Sequence, residues 1–284
     1  MTGYIPKGFQ DLGRRSSIED RSVHDPYMRT EDCEDQRTQS LKGKGYKRVL
    51  LKLSGEALAS PDPTQNDAYG ISHAMLQKLA SDIAAVRALN IDVCLVVGGG
   101  NIYRGINGIA HHGIDRCAAD SMGMLATVIN GIAMQNALTN AGVQARLMSA
   151  IPMPTVCEPY IRHKAERHLK KGRVVVFAAG TGNPYFTTDT AAVLRASEMH
   201  CDLILKATKV KGVFCSDPKH NNEAEFLPKL TYQEVKHRHL KIMDSTAIAL
   251  SQENKLPIAV FSIYEEDGFK KVLQQTTEFT LISL

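Results

Sequence analysis

From residue 47 onward the chain is expected to form an α/β domain, a mainly parallel central sheet sandwiched by helices. Three observations point there. Short apolar runs rich in β-branched residues alternate with longer segments of helical period, the order expected when strands are covered by helices. The runs are continuously apolar, as strands buried on both faces are. Glycine-rich stretches follow three of them, where a parallel sheet places its ligand-binding loops.

Taken in order, Val49-Leu50-Leu51 with Leu53 is the first strand, and residues 93–97, 174–178, 203–205 and 258–261 are further strands. Helical periodicity fills residues 76–89, 118–141, 163–170, 190–199 and 245–252, with no internal repeat. The first 46 residues differ in kind: eight Lys/Arg balance eight Asp/Glu, there is no alanine, and no apolar period emerges. Residues 1–45 are therefore expected to be a disordered extension, and residues 46–284 to hold the folded body with all of the net charge of +4. The acids Glu31, Asp32, Glu34 and Asp35 argue against a mitochondrial presequence.

Composition excludes several functions. At 284 residues with 43% hydrophobic and 23% charged residues, the chain is neither fibrous nor disordered throughout. No apolar run is expected to reach the ~20 residues of a membrane span, so a cytoplasmic protein is expected, with no membrane partner. The charge of +4 is too small for nucleic-acid binding and suits small anionic ligands. Six cysteines without a CxxC pair are expected to be reduced packing residues rather than zinc ligands or a disulfide framework.

Three strand ends carry the candidate chemistry. The first is Lys52-Leu53-Ser54-Gly55, where an ammonium can face a phosphate and Gly55 lets backbone N–H groups approach the same anion; a surface lysine fits equally. The second is Gly98-Gly99-Gly100-Asn101 with Arg104, where the glycines are expected to have no packing value and to permit close approach to a phosphate, with Arg104 adding a bidentate contact. It is neither a dinucleotide-binding nor a P-loop motif. The third is Ala179-Gly180-Thr181-Gly182-Asn183-Pro184-Tyr185-Phe186-Thr187-Thr188-Asp189, with polar groups for phosphate or base edges, two aromatics, and a helix cap expected at Thr188-Asp189.

These junctions sit within eight motifs in order: LLKLSGEAL from Leu50, VVGGGNIYRG from Val96, DSMGMLATVINGIAM from Asp120, ARLMSAIPM from Ala145, AGTGNPYFTTDTAA from Ala179, LKATKVKGVF from Leu205, Asp217-Pro218 and Met243-Asp244. Together they resemble the amino acid kinase family, and within it the bacterial uridylate kinases, across essentially the whole body. The resemblance implies an amino acid kinase-like fold. It also implies a nucleoside monophosphate kinase of pyrimidine nucleotide biosynthesis that passes the ATP γ-phosphoryl group to UMP. By the same resemblance Lys52, Leu53, Ser54, Gly55, Gly100 and Arg104 face the phosphates of ATP, and Thr208, Phe214 and Asp217 form the adenosine pocket. Gly99, Asp120, Thr181, Gly182, Asn183, Pro184, Tyr185, Phe186, Thr187 and Thr188 hold UMP. Lys52, Arg104 and Asp244 form the catalytic set, Asp244 orienting Lys52, and Lys206 also approaches the phosphates.

Chemically the set suffices, because an ionised phosphate acceptor needs alignment and charge neutralisation rather than a strong base. Mg²⁺ is expected to arrive on ATP, with no protein metal cage. The helix that carries Met122, Met124 and Met134 is expected to pack in the core or between subunits, and the family's assemblies are homohexamers. A non-catalytic oxyanion-binding protein on the same fold is the rival outside enzymes; within enzymes it is a carboxylate or carbamate kinase. The chain departs from the family pattern in its extension and in the polar insertion at residues 60–67.

Overall fold

The computed structural model describes residues 45–60, 70–104, 113–216, 221 and 223–284. Apart from Gly45, the expected extension lies outside the described residues, as does the insertion apart from Ser60. Asp217 is outside them too.

Nine strands form one sheet in the order β4-β3-β5-β2-β1-β6-β10-β11-β9. They are β1 (Arg48–Leu53), β2 (Asp92–Val97), β3 (Ala145–Ser149), β4 (Glu158–Pro159), β5 (Val174–Ala178), β6 (Leu203–Thr208), β9 (Lys229–Thr231), β10 (Ile258–Ser262) and β11 (Thr280–Ser283). Every pairing in it is parallel except β10 with β11. A small hairpin, β7 (Val213–Phe214) with β8 (Phe226–Leu227), stands apart. The expected mainly parallel sheet is thus present, and its five apolar runs are the central strands. The edge strands β4 and β9 and the penultimate strand β11 are short or half-buried, which is why no continuous apolar run announces them.

Alternation along the strands divides the core in two. Val49, Leu51 and Leu53 of β1 face one side, with Leu95, Val176 and Leu205 of its neighbours. Leu50, Val96, Phe177 and Ile204 face the other. The first face is covered by α1 (His73–Arg87), α2 (Arg116–Asn140) and α7 (Gly268–Gln274). The second is covered by α3 (Arg162–Lys170), α4 (Thr188–Glu198), α5 (Tyr232–His237) and α6 (Ser245–Glu253). Because the side-chain period of a strand is two, Lys52 and Lys206 lie on the second face, beneath α4.

Helix α2 corrects one expectation. It contains an 18-residue window of mean hydropathy 1.3, enough by length and composition to cross a membrane. Burial accounts for part of that composition: 39% of the window is buried, with Val128, Met134 and Leu138 packed into the first-face core, and buried Thr127 and Asn130 make hydrogen bonds to neighbouring loops. Met134 is core, as expected, but Met122, Leu125, Ile129 and Ile132 form an exposed stripe at helical spacing. The cysteines also divide, with Cys94 and Cys201 buried but Cys117 and Cys215 exposed, and all five described are free thiols.

Thr127 ties α2 to the end of β5. Its hydroxyl accepts the buried amide of Ala179 at 2.7 Å and donates to the Met124 carbonyl at 2.7 Å. Thr127→Val keeps the shape and orphans that amide, so it should lower the unfolding free energy by roughly 1–3 kcal/mol in urea denaturation. Thr127→Ser should recover most of the loss, and equal stability of wild type and Thr127→Val would disprove the tie.

Candidate active site

Four neighbouring strands, β5, β2, β1 and β6, run parallel, so their carboxyl ends open onto one edge of the sheet. Lys52 and Lys206 are register partners there. Both ammonium groups converge on Asp189 in the first turn of α4: Lys52 Nζ lies 2.6 Å from Oδ1, and Lys206 Nζ lies 2.7 Å from Oδ2. Lys206 also donates to the Ile242 carbonyl at 2.5 Å. All three side chains are largely buried.

The electrostatics of this triad follow from that geometry. Burial alone would push the Asp189 carboxyl up, but the two ammonium groups outweigh it and hold the group below its ordinary value. Burial, reinforced by the like charge of Lys52, pulls Lys206 down against the attraction of Asp189. The cluster keeps one excess positive charge at the mouth of the sheet.

Asp189 takes the position expected of Asp244. Asp244 does not contact Lys52 in the structure; it caps α6 by accepting from the Ala247 amide at 2.9 Å and accepts the Thr190 hydroxyl at 2.9 Å and the Thr187 hydroxyl. It therefore joins the N-termini of α4 and α6, and its charge acts on Lys206 through space without contacting Lys52. The expected cap at Thr188-Asp189 also shifts by one residue, since Thr187 Oγ1 accepts the Asp189 and Thr190 amides. Asp189 escaped the sequence reading because an acid in the first turn of a helix has a ready explanation in the helix dipole.

The glycines of the second loop divide by role. A Cβ on Gly98 would lie 2.8 Å from the Gly55 nitrogen, and one on Gly99 would lie 2.8 Å from the Gly123 carbonyl and 2.9 Å from Ala126 Cβ. Both are packing requirements, contrary to the expectation that the run has no packing value. Only Gly100 leaves its Cβ position open, with nothing nearer than Arg104 at 4.0 Å. Gly55 is equally confined, since a Cβ there would lie 2.6 Å from the Gly100 nitrogen. The backbones of the two loops thus touch, and Gly98 donates to the Leu53 carbonyl at 2.8 Å. Buried Asn130, absent from the candidate residues, locks the arrangement: its amide donates at 2.7 Å to both the Gly98 carbonyl and Asn101 Oδ1, and accepts from Asn101 Nδ2 at 3.1 Å.

Arg104 donates to the Gly100 carbonyl at 3.2 Å and pairs with Glu56, which Lys209 approaches at 3.3 Å. Ser54 starts the short 3₁₀ turn Gly55–Leu58 with its side chain uncommitted to a cap. In the third loop Asp120 accepts the Tyr185 amide at 2.7 Å, and Asn183 donates its amide to Thr181 Oγ1 at 3.2 Å. Ala179, Gly180, Gly182 and Tyr185 all have left-handed φ values, which the two glycines adopt freely and which cost free energy at Ala179 and Tyr185. Tyr185 and Phe186 remain exposed, with Pro184 between Asn183 and the aromatics, and Thr188 opens α4. Farther along the edge, the Thr208 hydroxyl is spent on its own turn, donating to the Val210 carbonyl at 2.7 Å, and Phe214 packs edge-on against Phe226 at 5.6 Å. A cavity of about 470 Å³ opens beside Asp189, with Ile242, Met243 and Lys241 in its wall.

The Amino acid kinase family matches residues 47–262. The uridylate kinase of Rickettsia prowazekii is 54% identical over 237 residues, covering 84% of this chain and 96% of the relative. That of Paramagnetospirillum magneticum is 52% identical, covering 84% and 97%. Among solved structures, a UMP kinase from Ureaplasma parvum superposes with a TM-score of 0.79 at 37% identity, covering 85% of this chain and all of the other. A UMP kinase from Bacillus anthracis gives 0.79 at 41%, covering 84% and 97%.

The triad predicts a measurable electrostatic cost. Asp189→Asn leaves two buried ammonium groups uncompensated and should destabilise the fold at neutral pH by about 3–5 kcal/mol in urea unfolding. Since the folded-state value of Asp189 is depressed, its contribution is complete above the ordinary carboxylate range and is lost as pH falls through the depressed value. The stability gap between wild type and Asp189→Asn should therefore shrink in acid; a gap that stays constant down to pH 3 would contradict the assignment.

Proposed function

The chain belongs to the amino acid kinase family, and we infer that it is a UMP kinase, which transfers the γ-phosphoryl group of ATP to UMP and releases ADP and UDP. The relatives carry the substrate, since they are uridylate kinases over nearly their whole length. The chemistry rests on one observation, the Asp189-bridged lysine pair at the adjoining ends of β1 and β6.

In this reading an oxygen of the UMP phosphate attacks the γ-phosphorus, and the bond from γ-phosphorus to the bridging oxygen breaks, leaving its electron pair on ADP. The attacking oxygen is already ionised, so no side chain has to remove a proton. Lys52 and Lys206 neutralise the charge spread over the transferring group, and Asp189 holds both ammonium groups in place. Gly55, Gly100 and the backbone around Leu53 and Ser54 face the ATP phosphates, with Arg104 exchanging Glu56 for phosphate. Thr208, Phe214 and Asp217 flank the adenosine. Gly99, Asp120 and residues 181–188 hold UMP, and Asp244 acts as a positioning residue through Thr187 and Thr190.

Asp189 and Glu56 are each engaged by two cations. The donor set therefore suits a Mg²⁺ ion that would arrive with ATP and would supply further neutralisation of phosphate charge. The exposed stripe Met122, Leu125, Ile129 and Ile132 supports pairing of α2 with its copy as the unit of a homohexamer. We place the enzyme in the cytoplasm, where both nucleotides are found, in pyrimidine nucleotide biosynthesis.

Base choice tests the reading. Uracil presents an N3–H donor and an O4 acceptor, and cytosine inverts both, so each mismatched buried group costs roughly 1–3 kcal/mol. In a coupled assay of ADP formation, kcat/KM should favour UMP over CMP by about 10²–10⁴, with purine monophosphates excluded by size. Phosphorylation of CMP within tenfold of UMP would remove the uridylate assignment.

A further inference from the structure

The first turn of α2 contains a charge that the roles above leave unused. Arg116 follows the Asp115 cap, at the positive end of the helix dipole, where a cation is disfavoured. Its side chain is directed toward two groups of the acceptor loop's support. Nε lies 2.8 Å from Asp120 Oδ2, and the guanidinium carbon lies 5.4 Å from the centre of the Tyr185 ring. The same Oδ2 accepts the Tyr185 amide at 2.7 Å. One residue along, Cys117 Sγ is 3.9 Å from the Tyr185 hydroxyl.

Three side chains of a single turn therefore converge on Tyr185, gripping its amide, ring face and hydroxyl. Tyr185 is a residue that needs holding: its φ is +71°, a conformation disfavoured for any residue with a side chain, and its ring is 64% exposed. The Arg116–Asp120 pair runs in the less favourable direction for a helical ion pair, so helix stability alone is a weak reason for it. An arginine serves where a lysine would not, because a planar guanidinium can hydrogen-bond a carboxylate through its edge while lying over an aromatic ring.

Resting on the reading of residues 181–188 as the UMP loop, we propose that Arg116 is a positioning residue for the acceptor subsite. It fixes Asp120 and Tyr185 before UMP arrives and touches no substrate itself. Both of its contacts are partly exposed and individually weak, so their joint loss acts on binding by a moderate factor.

The test uses the full chain in steady-state kinetics with ATP and UMP, together with hydrogen exchange of the Tyr185 amide in the nucleotide-free protein. Arg116→Met should raise the KM for UMP by roughly five- to tenfold, with kcat and the KM for ATP staying within about twofold. Arg116→Lys, which keeps the charge and loses the planar contact, should fall between. The Tyr185 amide should exchange faster in Arg116→Met than in wild type. An unchanged KM for UMP, a parallel rise in both KM values, or equal protection of Tyr185 would each overturn the proposal. A wild-type enzyme that leaves UMP untouched would instead remove the functional reading, and the exchange comparison would still decide whether Arg116 holds Tyr185.

Discussion

Two lysines in register on adjacent parallel strands are a liability that only a shared anion resolves. β1 and β6 place Lys52 and Lys206 side by side beneath α4, where like charges repel in a medium that screens them poorly. Asp189 answers both, and much of the surrounding architecture serves to put it there. The cap at Thr187 starts α4 at the right residue, Asp244 ties that start to α6, and the Ile242 carbonyl accepts a further hydrogen bond from Lys206. The result is a preorganised cationic site, which phosphoryl transfer requires more than it requires a base or a nucleophile.

A second set of constraints holds the cleft open. Helix α2 lies against the loops that follow β2 and β5, joined to one by Asn130 and to the other by Thr127. The close approach of backbones at Gly55, Gly98 and Gly99 leaves no room for a Cβ, so these glycines serve the fold first. Gly100 is different because the space before it is open. One glycine run thus does two jobs, shaping the loop and leaving a face for a ligand.

The central strands were legible because burial on both faces writes itself as unbroken apolar runs, as in residues 93–97 and 174–178. β3 was not assigned, since Ala145-Arg146-Leu147 interrupts its run with a charge at a half-buried position. In the site, Lys52 and the glycine-rich loops were visible from local pattern, because their chemistry sits beside strand ends. Asp189 and Asn130 were not: the first resembles a helix-start acid, the second an ordinary polar residue of a helix, and only the tertiary fold brings each to its partners. The same limit explains Asp244, whose link to Lys52 passes through α4 rather than by contact. Composition does not separate the two faces of α2, which packs Val128 and Met134 inside and turns Ile129 and Ile132 outward.

If the buried lysine pair carries the charge of the transferring phosphoryl group, removing one ammonium in Lys52→Met must slow the chemical step. The substitution keeps the volume and the apolar stem and removes only the ammonium. With ATP and UMP saturating and the fold verified by circular dichroism, kcat should fall by about 10² or more, the effect of losing one preorganised charge worth ~3 kcal/mol at the transition state. A kcat within threefold of wild type would show that the triad is structural and that the chemistry lies elsewhere.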